Sequence, residues 1–247
     1  MTIQTALLKG HFHPVYCEDF LLTEQLSPDL HLIAVMDGCS MGDDSHFASA
    51  LVGKILKKQV KTLSWEEFAG KLPAFSDIRL EELGKSVLSG LFDDLRKSTD
   101  LLLLDRKELL STLVMALLRP SASEAWAVVI GDGYIATEDD LIDIDQQNKP
   151  DYLAYHLNED FETWYSSHDQ FFSFSNIQQL VVSTDGPGAI RKMEPQKPDY
   201  EGDMLRYLFL DPEFADVPRG MYKKLELLEQ RHGLVATDDI AMVKIRL

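Results

Sequence analysis

Cysteine is nearly absent: Cys17 and Cys39 are the only two in 247 residues. That is too few for the disulfide framework of a small secreted domain. They read either as reduced, partly buried thiols or as soft-metal ligands or a redox pair. Basic residues are also scarce, with 24 Lys and Arg against 41 Asp and Glu and a formal net charge of −17. This balance argues against nucleic acid or an anionic membrane as partner, because both need exposed Lys and Arg patches. No apolar run approaches a membrane span, and the N-terminus has no basic stretch followed by a sustained apolar one. A cytoplasmic location is expected. No repeat, low-complexity segment or obvious linker interrupts the chain, so residues 1–247 read as one domain, with 45% hydrophobic residues ample for a continuous core.

What the chain does have is acid at the ends of β-like runs. Leu32 to Met36 leads into Asp37-Gly38, and Leu180 to Thr184 leads into Asp185-Gly186. A strand end holds a carboxylate stiffly, and the glycine lets the chain turn away beside it. Either pair alone is also an ordinary turn signal. Asp132 follows the run Trp126 to Gly131, Asp238-Asp239 precedes Ile240 to Ile245, and Glu18-Asp19 stands beside another apolar run. The acidic excess is therefore either solvated surface or, in part, carboxylates gathered at a site.

Between the strand groups, helical periodicity runs over residues 45–60, and Ser64-Trp65-Glu66-Glu67 matches a capping box that predicts a short second helix. A long helix is predicted over 80–95, with Leu101 to Leu104 as a buried helix end or connector. Residues 109–118 and 124–135 read as a hairpin around Pro120. Residues 138–151 are either a mobile loop beside the site or a surface connection. A strand is predicted over 152–157, aromatic packing over 161–174, helices over 202–210 and 222–230, and a final strand. Helices bunched between strand groups do not suit a doubly wound sheet. The expected class is α+β, two mostly antiparallel sheets with helices outside.

If Glu18, Asp37, Asp185 and Asp238 converge, their carboxylates repel unless cations bind or protons are taken up. An all-oxygen set without closely spaced His or Cys pairs selects Mg²⁺, Mn²⁺ or Ca²⁺ over Zn²⁺. Two such ions make a water acidic enough to attack near neutral pH, and phosphoester hydrolysis is the natural reaction. No compact acidic loop of the EF-hand kind is present.

The order of these motifs resembles the metal-dependent PPM family, the type 2C serine/threonine protein phosphatases, in their bacterial form. Cys17-Glu18-Asp19 is similar to its first acidic motif. Residues Asp37 to Gly42 are similar to its Asp-Gly-x-x-Gly segment with one extra residue, and Ser111-Thr112-Leu113-Val114 to its Ser/Thr strand start. Ile130-Gly131-Asp132-Gly133, Ser183-Thr184-Asp185-Gly186 and Asp238-Asp239-Ile240-Ala241 are similar to its remaining motifs. The resemblance spans nearly the whole chain. It implies a PP2C-like β-sandwich flanked by helices, with two Mg²⁺ or Mn²⁺ ions and a phosphorylated protein as substrate. Asp37 would bridge the ions, Gly38 would contribute its carbonyl oxygen, and Asp185 and Asp238 would bind the second ion. Glu18 would hold a metal-bound water, supported by Asp19. Asp132 is implied either at a third, weaker metal position or in a structural turn.

Three positions depart from the family pattern. Pro14 stands where an Arg often holds the substrate phosphate, Asp239 replaces Asn, and Ala241 replaces Thr or Ser. His11, His13 and His46 are candidates for phosphate contact or for protonating the leaving alcohol, or are ordinary histidines. These departures keep two alternatives open: a phosphatase-like binding or regulatory protein without turnover, and a phosphatase for small phosphometabolites. Oligomeric state is not specified by the sequence.

Overall fold

In strand Leu30–Met36 every residue is buried, because the sheet that contains it is covered on both faces. Leu32, Ala34 and Met36 pack toward a helical layer, and Ile33 and Val35 pack toward a second sheet. This alternation follows from the two-residue period of a strand. The computed structural model describes all of residues 1–247 except 43 and 148.

The elements in chain order begin with β1 (Thr2–Leu8), β2 (Phe20–Ser27), β3 (Leu30–Met36), α1 (Ser45–Phe68), α2 (Leu80–Leu102), β4 (Leu113–Arg119) and β5 (Glu124–Ile130). Next come β6 (Gly133–Ala136), β7 (Leu141–Ile144), α3 (Leu153–His156), α4 (Phe161–Ser167), β8 (Phe171–Ser175) and β9 (Gln179–Ser183). The chain continues through β10 (Ile190–Lys192), α5 (Met204–Phe209), α6 (Gly220–His232), β11 (Leu234–Ala236) and β12 (Ile240–Arg246). One antiparallel sheet has the order β2-β3-β4-β5-β8 and the other β1-β12-β9-β6-β7, with β10 and β11 as a small separate pair. Val114, Ala116, Ala127 and Val129 meet Leu180, Val182, Ala241 and Val243 between the sheets. Helices α1, α2 and α4 cover the first sheet, and α5 and α6 cover the second. The four layers are the expected α+β arrangement.

Four local expectations are corrected. The predicted short helix at Ser64 is instead the last part of α1, which runs unbroken because no Gly or Pro lies between Lys54 and Phe68 to stop it. The Ser64 hydroxyl donates to the Leu26 carbonyl, 2.9 Å, rather than capping a new helix. Residues 152–157 form a helical turn, α3, not a strand. Residues 101–103 end α2 but are exposed, with Leu103 in the left-handed region (φ 54°) closing the helix. The run 124–135 is two strands in different sheets: Gly131 (φ 91°) and Gly133 (φ 154°) allow the sharp passage that moves the chain from β5 into β6. The acidic segment 138–151 carries the edge strand β7; residue 148 lies outside the described residues. The aromatic segment packs as expected, with Phe161 and Trp164 against Phe92.

Candidate active site

The acidic strand ends meet at one edge of the sandwich, where both sheets stop. Asp37 follows β3, and its backbone is locked to Thr112 in both directions. Thr112 N–H donates to the Asp37 carbonyl at 2.9 Å, and Asp37 N–H donates to Thr112 Oγ1 at 3.1 Å. Gly38 sits in a space with no room for a side chain, since a Cβ there would lie 2.0 Å from the Ser45 carbonyl oxygen. Gly186 is under the same constraint, with the Asp239 carbonyl oxygen 1.7 Å from any added Cβ. Both Asp-Gly glycines thus permit loop backbones to touch, which is what draws the acidic residues together.

Asp19 is buried and hydrogen-bonds Asp37, while Thr184 Oγ1 donates to Asp19 Oδ2 at 2.7 Å. Two carboxyls bonded to each other require a shared proton. Burial raises Asp19 to about 8, with Asp239 and Asp185 adding repulsion. Asp37 is held well above the usual carboxylate range, first by burial and then by Asp19, Asp185 and Asp238. Asp185 is raised to about 6: the residue is open to solvent, yet protein crowds its carboxyl and Asp238 and Asp132 face it. Among the described residues no Lys or Arg nitrogen lies within 4.0 Å of the Asp19, Asp37 or Asp185 carboxylate. As the side chains stand, no three acidic, His or Cys groups among the described residues converge on a single ion-sized point. The donor set, all oxygen and uncompensated in charge, suits a hard divalent cation.

Asp239 is the residue that sequence reasoning undervalued. Its carboxylate accepts the N–H groups of Gly10 (2.6 Å) and Glu18, so it fastens the loop carrying Glu18 onto the start of β12. His13 Nδ1 lies 2.8 Å from Asp239 Oδ2 but off the N–H direction, so the contact is coulombic rather than a well-aimed hydrogen bond. Its Nε2 lies 3.4 Å from Asp238 Oδ1. Burial works against charge on His13, but Asp239, Glu18 and Asp238 outweigh it and raise the imidazole overall. The Glu18 carboxylate accepts from Ser40 Oγ at 2.6 Å.

Of the remaining candidates, His46 stacks on Tyr16 at the rim, 4.1 Å between rings. His11 lines a different groove, beside Lys9, Arg219 and Tyr222. Asp132 accepts the Gln146 N–H at 2.7 Å and is raised by burial and by Asp145 and Asp143, so it borders the cluster while also bracing the loop after β7. Both cysteines are free; Cys17 is pushed up to about 12 by burial, with Asp239 and Asp19 adding to the effect.

The family described as Protein phosphatase 2C matches residues 14–219. The chain belongs to the protein phosphatase 2C family. A protein serine/threonine phosphatase activity and metal dependence come with that membership. No curated protein matches the chain by sequence. Among solved structures, a bacterial serine phosphatase superposes with a TM-score of 0.62 at 13% identity, covering 99% of this chain and 96% of the other. Serine/threonine phosphatase Stp1 from Staphylococcus aureus gives 0.65 at 12% identity, covering 99% and 94%. The SiaA-PP2C domain of Pseudomonas aeruginosa gives 0.57 at 12%, covering 99% and 85%. At such identities the likeness is one of fold.

Against the phosphatase 2C pattern, one departure finds a local substitute. Thr184 Oγ1 accepts the Ala241 N–H at 3.0 Å, so a hydroxyl stands beside Asp19 although residue 241 has none. At Pro14 the nearby cation is Lys9, whose ammonium donates to the carbonyls of His13 (2.8 Å) and Pro14 (3.2 Å).

The raised carboxyls give the metal-free phosphatase a distinctive pH response. Asp19 and Asp185 bind protons more tightly in the fold (about 8 and about 6) than their ordinary value of 3.8, so the native state holds more protons than the unfolded chain between these limits. Their stabilising contribution is complete below about pH 4 and is lost as pH rises through 6 and 8. In chelator the melting temperature is expected to be several degrees lower near pH 8 than near pH 5.5, and saturating Mn²⁺ should remove the gap. Identical melting at both pH values in chelator would show that the cluster does not carry these protons.

Proposed function

We propose that the acidic edge hydrolyses phosphoserine and phosphothreonine esters of proteins, with Asp37, Gly38, Asp185 and Asp238 holding two Mg²⁺ or Mn²⁺ ions. The supporting observation is the group Asp19, Asp37, Asp185 and Asp238, contributed by both sheets and, among the described residues, with His13 beside Asp238 as its one basic neighbour and no Lys or Arg within 4.0 Å. When bound, such ions supply charge for the phosphoryl oxygens and acidify a water. Asp37 would be shared between the two ions. Glu18, steadied by Ser40, would orient the attacking water, and Asp19, steadied by Thr184, would hold Asp37 in place. His13 is the histidine nearest the cluster and the candidate to protonate the departing alcohol. Asp132 would serve a third ion. Two free thiols and the acidic surface suit a cytoplasmic setting for one phosphatase domain over 1–247.

A protein substrate is favoured over a small phosphometabolite by the apolar rim. Phe12, Val15 and Tyr16 on the Asp239-fastened loop, and Met41 after the Asp37-Gly38 turn, are all exposed. Such groups suit the flanks of a phosphopeptide and offer nothing to a sugar phosphate. With Mn²⁺, phosphoserine peptides with apolar flanks should be cleaved with kcat/KM about 10-fold or more above sugar phosphates. The double variant Tyr16→Ser, Met41→Ser should lower the peptide value about 10-fold more than that of an aryl phosphate. The reverse order of substrates would indicate a phosphometabolite enzyme. No turnover with metal demonstrably bound would indicate a binding protein.

A further inference from the structure

On a chain of net charge −17, the outer face of α1 is strongly basic. Lys54, Lys57, Lys58 and Lys61 follow one another at helical spacing, and Trp65 and Phe68 continue the same stripe. The inner face, with Ala48, Val52, Ile55, Leu56 and Val60, is buried against the first sheet, so the lysines point outward. With Thr62 and Trp65 they line an open depression of about 470 Å³. Lys57 pairs with Glu24 and Lys58 with Asp94, each at 2.6 Å. Among the described residues no carboxylate lies within 4.0 Å of the Lys54 or Lys61 ammonium. Trp65 is 57% exposed and Phe68 87%, and Lys71 stands 4.5 Å over the Trp65 ring.

We propose that this face of α1 docks an acidic segment of a partner protein, with carboxylates on Lys54 and Lys61 and an apolar side chain over Trp65 and Phe68. From Lys54 to Phe68 the stripe is about 21 Å long at ~1.5 Å per residue. That length matches roughly six extended residues or one short helix of a partner. A nucleic acid or an anionic bilayer would bring a broad field of negative charge against the acidic remainder of the molecule, whereas a peptide meets the lysines alone. The first turn of the same helix reaches the acidic edge: Ser49 Oγ donates to the Glu18 carbonyl, and Ser45 lies over Gly38. A docked protein is thereby anchored on the helix that begins at the site.

Trp65 provides the readout. Trp126 and Trp164 are each 2% exposed, so quenching of tryptophan emission by iodide reports mainly Trp65. A Glu-rich decapeptide with a central Leu-Phe pair is expected to protect the emission saturably at low salt and to bind about 10-fold more weakly when salt is raised severalfold. A Lys-rich counterpart should give no protection. The variant Lys54→Glu, Lys61→Glu, with unchanged melting and aryl phosphate hydrolysis, should bind the acidic peptide at least ~10-fold more weakly. Absence of protection, equal binding by the variant, or protection by phosphatidylserine vesicles but not by the peptide would each overturn the assignment. An inactive wild type that still binds the peptide would sink the phosphatase mechanism while leaving the docking face standing.

Discussion

Asp37→Asn is expected to reduce hydrolysis of a chromogenic aryl phosphate by roughly 10²–10³-fold or more, the cost typical of removing a principal electrostatic group from a catalytic site. The same substitution should leave the metal-free protein as stable as wild type or more so. Asp37 is a half-buried residue whose carboxyl is crowded by protein and by Asp19, Asp185 and Asp238, and an amide removes one source of that repulsion while still accepting a hydrogen bond from protonated Asp19. The gain in melting temperature expected for the wild type with Mn²⁺ should then shrink in the variant, because the carboxylate proposed to bridge the ions is gone. Loss of activity with unchanged metal stabilisation would remove Asp37 from the proposed ion site. Equal hydrolysis in chelator and in Mn²⁺ would defeat the metal-dependent mechanism itself.

Gly186→Ala should be among the most damaging single changes in the molecule. The added methyl would lie 1.7 Å from the Asp239 carbonyl oxygen, a backbone atom that no rotamer change can move. The loops after β9 and before β12 must separate, at a cost of about 3 kcal/mol or more by analogy with overpacked cores. For a chain of this size that lowers the melting temperature by roughly 10 °C. Separation also displaces Asp239, whose carboxylate holds the Gly10 and Glu18 N–H groups, so any folded remainder should be poorly active. Wild-type melting and turnover in Gly186→Ala would mean that these loops do not touch as described.

Strands were legible where burial on both faces produced continuous apolar runs, as at 30–36 and 240–246, and the acids at their ends were legible with them. Helices α1 and α2 announced themselves through an apolar stripe. What failed was punctuation. Ser64-Trp65-Glu66-Glu67 carries a valid local capping pattern, but the carbonyl that receives the Ser64 hydroxyl belongs to Leu26, on another strand. The change of sheet at Gly131 and Gly133 was hidden because residues 124–135 look like one apolar run, and only the backbone angles reveal the switch. Within the site, residue types identified Glu18, Asp37, Asp185 and Asp238 as candidates. The fastening role of Asp239 depends on partners more than 200 positions away, and no local window contains them. The basic stripe on α1 was obscured in the same way by a whole-chain charge of the opposite sign.

The order of the strands carries a consequence for synthesis. The first sheet is complete once β8 has been made, and it already holds Asp19 and Asp37. In the second sheet β12 lies between β1 and β9, so β1 has no neighbour to pair with until the last strand is available. A ribosome-bound chain thus displays half an acidic edge and an unpaired strand until β12 has emerged, and such non-local pairing is slow and prone to association. Acquisition of the complete carboxylate group, Asp238 included, is therefore a late event in folding, and a chain stalled before β12 is both inactive and exposed to its neighbours.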